Sequence, residues 1–139
     1  MPQAKTLNML PSYLIFKKVK EKEAFDALFL DKQNNIIEGT RSNFFAIKDK
    51  TLYTTTVEKV LAGVTRQTVI DCTKKNNYKI IEQDINLIDV FNYEGAFLTN
   101  TSGKIIPIRK IDNKEFANIC GSLKELIKLY NTYLNNLYF

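Results

Sequence analysis

An amine at Lys5, a carboxylate at Glu38 within the run Ile36-Ile37-Glu38-Gly39-Thr40-Arg41-Ser42-Asn43-Phe44-Phe45, and hydroxyls at Thr65, Thr101 and Ser102 are the groups in this chain whose types and spacing can do chemistry. An uncharged lysine is a nucleophile toward a carbonyl, and once released it serves as general base and acid at a nearby carbon. On a strand, Glu38, Thr40 and Ser42 share one face, while Ile37, Gly39, Arg41 and Asn43 share the other. That arrangement fits a polar face turned toward a ligand and equally a solvent-facing edge. Gly39 marks a bulge or a close approach to a ligand. The Arg41 guanidinium has the fork to hold a substrate carboxylate bidentately, but its place on the face opposite Glu38 favours a plain surface residue.

The second group of candidates binds anions. Leu61-Ala62-Gly63-Val64-Thr65-Arg66 precedes a run with helical spacing, so Val64 and Thr65 fall where a helix start exposes unpaired amide hydrogens and a favourable dipole. Asn100-Thr101-Ser102-Gly103 is a polar turn between two apolar runs, and its glycine and small polar residues tolerate unusual backbone angles. Thr65 and Thr101 also fit an ordinary helix cap and a turn threonine.

Positioning these groups requires a mixed set of elements. Leu10, Tyr13, Leu14 and Val19 recur near helical spacing between Leu7 and Ala24, with Pro11 tolerated in a first turn. Strands are predicted at Ala27 to Asp31, at Ile36 to Lys48 as one long run, and at Leu52 to Thr56, making an antiparallel meander with turns at 32–35 and 49–51. A helix from Val64 ends near Lys75-Asn76-Asn77, with Gly63 just outside it. Strands follow at Tyr78 to Ile85, Gly95 to Thr99 and Ile105 to Arg109, with a short helical turn at Leu87 to Phe91. Ile119, Leu123, Leu126, Ile127, Tyr130, Tyr133, Leu134 and Leu137 form a helical stripe for core or interface packing. The order of elements predicts one mixed α/β domain of the α+β class across residues 1–139.

Composition narrows the function classes. At 139 residues, 45% hydrophobic and 25% charged, the chain has ordinary globular make-up, and a domain of this size buries roughly 68–70% of its unfolded surface. The net charge of +5 is spread among interleaved acids and bases with no basic stripe, which argues against nucleic acid as a partner. The chain has no histidine, and Cys72 and Cys120 lack metal-ligand spacing. Zinc and any histidine-dependent triad are therefore not expected, and both cysteines read as small buried apolar residues. Neither an apolar leader nor a run of membrane-spanning length is legible, so a soluble cytoplasmic protein with no membrane partner is the expectation.

Four blocks in one order carry a specific likeness: Lys5-Thr6-Leu7-Asn8, Glu38 to Phe45, Leu61 to Arg66, and Phe97-Leu98-Thr99-Asn100-Thr101-Ser102. Together they resemble the fold-type IV pyridoxal-phosphate-dependent enzymes, the class IV aminotransferase family of branched-chain and D-amino acid aminotransferases and aminodeoxychorismate lyase. The likeness runs from Lys5 to about Asp112. It implies the C-terminal domain of the D-amino acid aminotransferase-like fold, a mixed sheet or pseudo-barrel flanked by helices, with pyridoxal 5'-phosphate (PLP) as cofactor. In that likeness Lys5 forms the Schiff base and moves the substrate α-proton, and Glu38 faces the pyridine nitrogen and keeps it protonated. Val64 and Thr65 hold the phosphate, Asn100 and Thr101 hold it from a second loop, and Arg41 and Ser102 are the substrate-side candidates. Lys104 stands where many members carry an acid, and Leu10 where some carry a tyrosine.

The implied activity is amino-group transfer between an amino acid and a 2-keto acid, with a homodimer as the expected assembly. Lyase chemistry on an aminodeoxychorismate-like substrate is an alternative; a non-catalytic assembly module of the same fold is another. Family members carry an N-terminal domain before the lysine that supplies an arginine to the phosphate, whereas Met1 to Ala4 precede Lys5 here. The expectation is therefore a cofactor half that binds weakly alone, or one completed by a separately encoded N-terminal half.

Overall fold

The computed structural model describes residues 21, 25–60 and 63–138. Lys5, Leu61, Ala62 and, apart from Glu21, the helix expected between Leu7 and Ala24 lie outside the described residues.

The sheet grows from two strands that are apolar on both sides. In β3 (Asn43–Lys48) every residue but the last is buried, and in β6 (Gly95–Asn100) every residue but the last is buried as well. They pair antiparallel, Phe45 against Phe97 and Ala46 against Ala96. Side chains alternate across a pleated sheet, and the alternation sorts the apolar residues into two cores. Phe45, Ile47, Phe97 and Ile105 turn to one side, where the two long helices cover them, and Phe44, Ala46, Ala96 and Leu98 turn to the other, with Ile36, Ile85 and Val90. The Phe45 and Phe97 rings stack with centroids 5.0 Å apart.

Flanking strands complete the sheet. β1 (Leu28–Leu30) pairs with β2 (Ile36–Gly39), β2 meets β3 through Glu38 and Asn43, and β4 (Thr51–Thr54) takes over the same partner from Phe45 onward. The β3–β4 hairpin turns through Asp49 and Lys50, with φ of 51° and 58°, the left-handed pair that a two-residue hairpin needs. β4 crosses through α1 (Val64–Lys75) to β5 (Lys79–Glu82), which lies parallel to it, as a helical crossover requires. β7 (Lys104–Pro107) pairs with β6, and β8 (Lys110–Ile111) with β9 (Lys114–Glu115) makes a small separate hairpin. Past β5 the chain returns to β2: the Ile36 amide donates to the Ile85 carbonyl at 2.8 Å, and Asn35 bridges Asn86. This link curls the sheet toward the expected pseudo-barrel.

α2 (Gly121–Tyr138) packs Leu123, Leu126 and Tyr130 against the helix-side core. The apolar stripe is shorter than its sequence pattern, since Ile119 precedes the helix and is exposed, and Leu137 is exposed near its end. Tyr78 pins the first turn by donating its hydroxyl to the Ser122 carbonyl at 2.9 Å. Burial, with Glu125 next in weight, raises its phenol to about 12. Cys72 is buried, and that burial pushes its thiol up, away from the reactive thiolate. Cys120 is only half-buried, contrary to expectation.

Candidate functional site

The long strand expected from Ile36 to Lys48 is two strands, and the break between them builds the site. Thr40, Arg41 and Ser42 form a tight turn closed by the Gly39 amide donating to the Ser42 carbonyl at 2.9 Å. Asp26 fixes it. One carboxylate oxygen accepts the Thr40 amide, at 3.1 Å, and the Thr40 hydroxyl; the other accepts the Ser42 hydroxyl at 2.9 Å. Gly39 is glycine because a Cβ would strike the Ser42 hydroxyl and the Asp26 carboxylate, so the close approach there is made by the chain itself. Thr40 and Ser42 spend their hydroxyls on Asp26 and do not line a face with Glu38.

The turn reverses the chain and puts Asn43, expected on the opposite face, directly across from Glu38. Asn43 is in turn directly across from Thr99 on β6. Paired residues share a face of the sheet, so Glu38, Asn43 and Thr99 form one polar row over three strands, about 10 Å from end to end. The irregularity expected at Gly39 lies two residues earlier. Leu30 faces Ile36 and Phe29 faces Glu38, leaving Ile37 as the extra residue of a bulge. A bulge re-aims the side chains beyond it, and Ile36 accordingly joins the core of the far face while Glu38 joins the row.

The start of α1 meets the row at its middle residue. A Cβ on Gly63 would lie 2.7 Å from the Asn43 Oδ1, so the residue preceding the helix touches the row directly. Gly63 is the N-cap, has no side chain to cap with, and no acid occupies the first turn. The first intrahelical bond runs from the Gln67 amide to the Gly63 carbonyl at 3.1 Å, so the amides of Val64, Thr65 and Arg66 have no partner within the helix. Thr65 is buried and does not serve as the N-cap, whereas the Val64 side chain is exposed and offers only its backbone.

Asn100 and Thr101 follow Thr99 directly. Asn100 Oδ1 closes its turn by accepting the Gly103 amide at 2.6 Å and the Ser102 hydroxyl at 3.3 Å, and Thr101 and Ser102 are exposed. The left-handed residue here is Lys104, with φ of 59°, and no glycine among the described residues has positive φ. A Cβ at Gly103 would crowd the Ile106 side chain. Arg41 is exposed in the β2–β3 turn.

Glu38, Val64, Thr65, Asn100 and Thr101 thus come from β2, the start of α1 and the end of β6, elements that meet around Asn43 and Thr99. Sequence reasoning passed over Asp26, Asn43, Thr99 and Arg66. Arg66 is buried, bonding the Thr55 carbonyl at 3.1 Å and Glu82 at 3.2 Å, and so ties α1 to the ends of β4 and β5. The one signal for Thr99 was a hydroxyl in the apolar strand Gly95–Asn100 at the same parity as Phe97. Among the described residues no cluster of potential metal ligands occurs, and no helix is long and apolar enough to cross a membrane.

A family model described as amino-transferase class IV matches residues 1–111. A provisionally assigned branched-chain-amino-acid aminotransferase of Methanocaldococcus jannaschii is 32% identical over 133 residues, covering 91% of this chain and 46% of its own. A D-alanine aminotransferase of Bacillus licheniformis is 30% identical over 133 residues, covering 95% and 46%. Among solved structures, a provisionally assigned 4-amino-4-deoxychorismate lyase of Legionella pneumophila superposes with a TM-score of 0.85 at 29% identity, over 94% of this chain and 49% of that one. The chain spans about half the length of these proteins.

Proposed function

This chain belongs to the class IV aminotransferases, a PLP-dependent family, and from that premise we propose that it forms the C-terminal, cofactor-holding domain of an enzyme that moves an amino group between an amino acid and a 2-keto acid. The observation that carries this reading is the row Glu38–Asn43–Thr99 with the uncapped start of α1 against Asn43. The donor set suits PLP chemically: a carboxylate for the pyridine nitrogen at one end of the row, and helix-start amides with a helix dipole for the phosphate where α1 meets Asn43.

When bound, PLP supplies an electron sink for the pair left behind as the substrate loses its α-proton. Glu38 holds a proton at the ring nitrogen. The amides of Val64 and Thr65 bind the phosphate, with hydroxyls from Thr65 and Thr101 beside them. Asn100 shapes the second loop through its bonds to Ser102 and Gly103, which sets the direction of Thr101. Lys5 takes the α-proton and returns it, a task suited to an amine released close to that carbon. Arg41 and Ser102, both exposed, are the substrate-side residues. A homodimer, typical of the family, or a separately encoded N-terminal half completes the pocket.

Lyase chemistry is the second reading, supported by the likeness to the Legionella pneumophila protein. Two assays run side by side on the PLP-loaded protein separate them. Transfer of an amino group to a 2-keto acid without pyruvate release from aminodeoxychorismate is the expected result. Pyruvate release alone would replace transfer by elimination, and a PLP-loaded preparation inactive in both would leave the assembly module standing.

A further inference from the structure

We propose that Thr99 is a further cofactor-contacting residue, its hydroxyl meeting bound PLP from the end of the row opposite Glu38; this rests on the cofactor reading given above. Thr99 is 1% exposed, and its Oγ1 has no hydrogen-bond partner among the described residues. Buried hydroxyls are nearly always paired, and one left unpaired destabilises the fold that contains it. Valine would fill the same volume in a strand without that penalty, so the hydroxyl has no structural use in the protein as it stands.

Its position supplies the use. Thr99 is directly opposite Asn43, whose Oδ1 lies against Gly63, and it shares a sheet face with Phe97 two residues before it. Phe97 is sealed by the helix-side core and stacks on Phe45, so the hydroxyl sits where that core gives way to the polar row. Two independent observations, the uncapped start of α1 and an unpartnered buried hydroxyl, therefore lie on either side of the same residue, Asn43. Asn43 links the two, being paired to Thr99 on one edge and to Glu38 on the other.

The test measures PLP affinity by titrating the visible absorption of the bound cofactor, and the melting temperature of the cofactor-free protein, in wild type, Thr99→Val and Thr99→Ser. Thr99→Val is expected to raise the cofactor-free melting temperature, because an unpaired hydroxyl is gone. It is also expected to weaken PLP binding about three- to tenfold, the worth of one hydrogen bond. Thr99→Ser, which keeps the hydroxyl, is expected to bind within about twofold of wild type. Affinity unchanged in Thr99→Val overturns the assignment whatever the melting temperature does, and so does an equal loss in both variants. A wild-type protein with no Lys5-dependent absorption band would instead remove the cofactor reading itself, and this assignment with it.

Discussion

Glu38→Gln is expected to lower the rate of amino transfer by about 10²- to 10³-fold, the scale on which loss of one preorganised electrostatic partner registers in catalysis. The substitution keeps the size of the side chain, removes its charge and replaces one acceptor oxygen by an amide donor. β2 is held to β1 and β3 by backbone pairing on either side of Glu38, with Phe29 on one neighbour and Asn43 on the other, and a glutamine of the same size leaves those ladders in place. A glutamine cannot hold the ring nitrogen in its protonated form, and the electron sink weakens. The loss therefore belongs in kcat. Transfer within threefold of wild type in the Glu38→Gln protein would remove Glu38 from the role assigned to it.

Phe97→Ala is expected to cost about 3–5 kcal/mol of folding stability, the usual range for truncating a buried phenylalanine. Phe97 is fully buried, stacks on Phe45, and lies on β6 with β3 on one side and β7 on the other. No neighbour closes such a hole easily, because both adjoining strands are fixed by their ladders and the helix-side core above is packed from α1 and α2. Against a typical domain stability of about 5–15 kcal/mol, the loss leaves a fold near its threshold. Site consequences follow, since Thr99, Asn100 and Thr101 continue the same strand and turn. Urea denaturation followed by circular dichroism measures it, and a shift worth under about 1 kcal/mol would show that the core is not organised around this pair.

The fold was legible wherever side-chain period alone decides. Leu28–Leu30, Thr51–Thr54, Lys79–Glu82, Gly95–Asn100 and Lys104–Pro107 fall within a residue or so of the runs read from alternation, or inside them. Val64–Lys75 begins one residue after Gly63, as its spacing indicated. The four sequence blocks also found the family, and the last three of them fall on β2 and β3, on the approach to and start of α1, and on β6 and the turn after it.

What escaped was set by partners distant in sequence. The break at Thr40–Ser42 depends on Asp26, which is 14 residues from Thr40 and 16 from Ser42. Nothing local in Ile36 to Lys48 announces that a carboxylate will seize both hydroxyls. With the break unseen, strand alternation put Asn43 on the wrong side of Glu38, and the row ending at Thr99 could not be drawn. Arg66 was visible only as the last residue of a motif, because its partners Thr55 and Glu82 lie at the ends of two strands joined by the crossover. Leu137 and Ile119 continue the apolar period of α2 past the end of the surface it covers, so periodicity overstated the buried stripe.

The most direct measurement mixes the purified protein with pyridoxal phosphate and follows visible absorbance as the cofactor is titrated, in wild type and in Lys5→Ala. A saturable band in wild type that is absent from Lys5→Ala is the expected result, since a chance adduct on any of the surface lysines would survive that substitution. No lysine-dependent band at saturating cofactor, or the same band in both proteins, would contradict a PLP site built on Lys5 and Glu38.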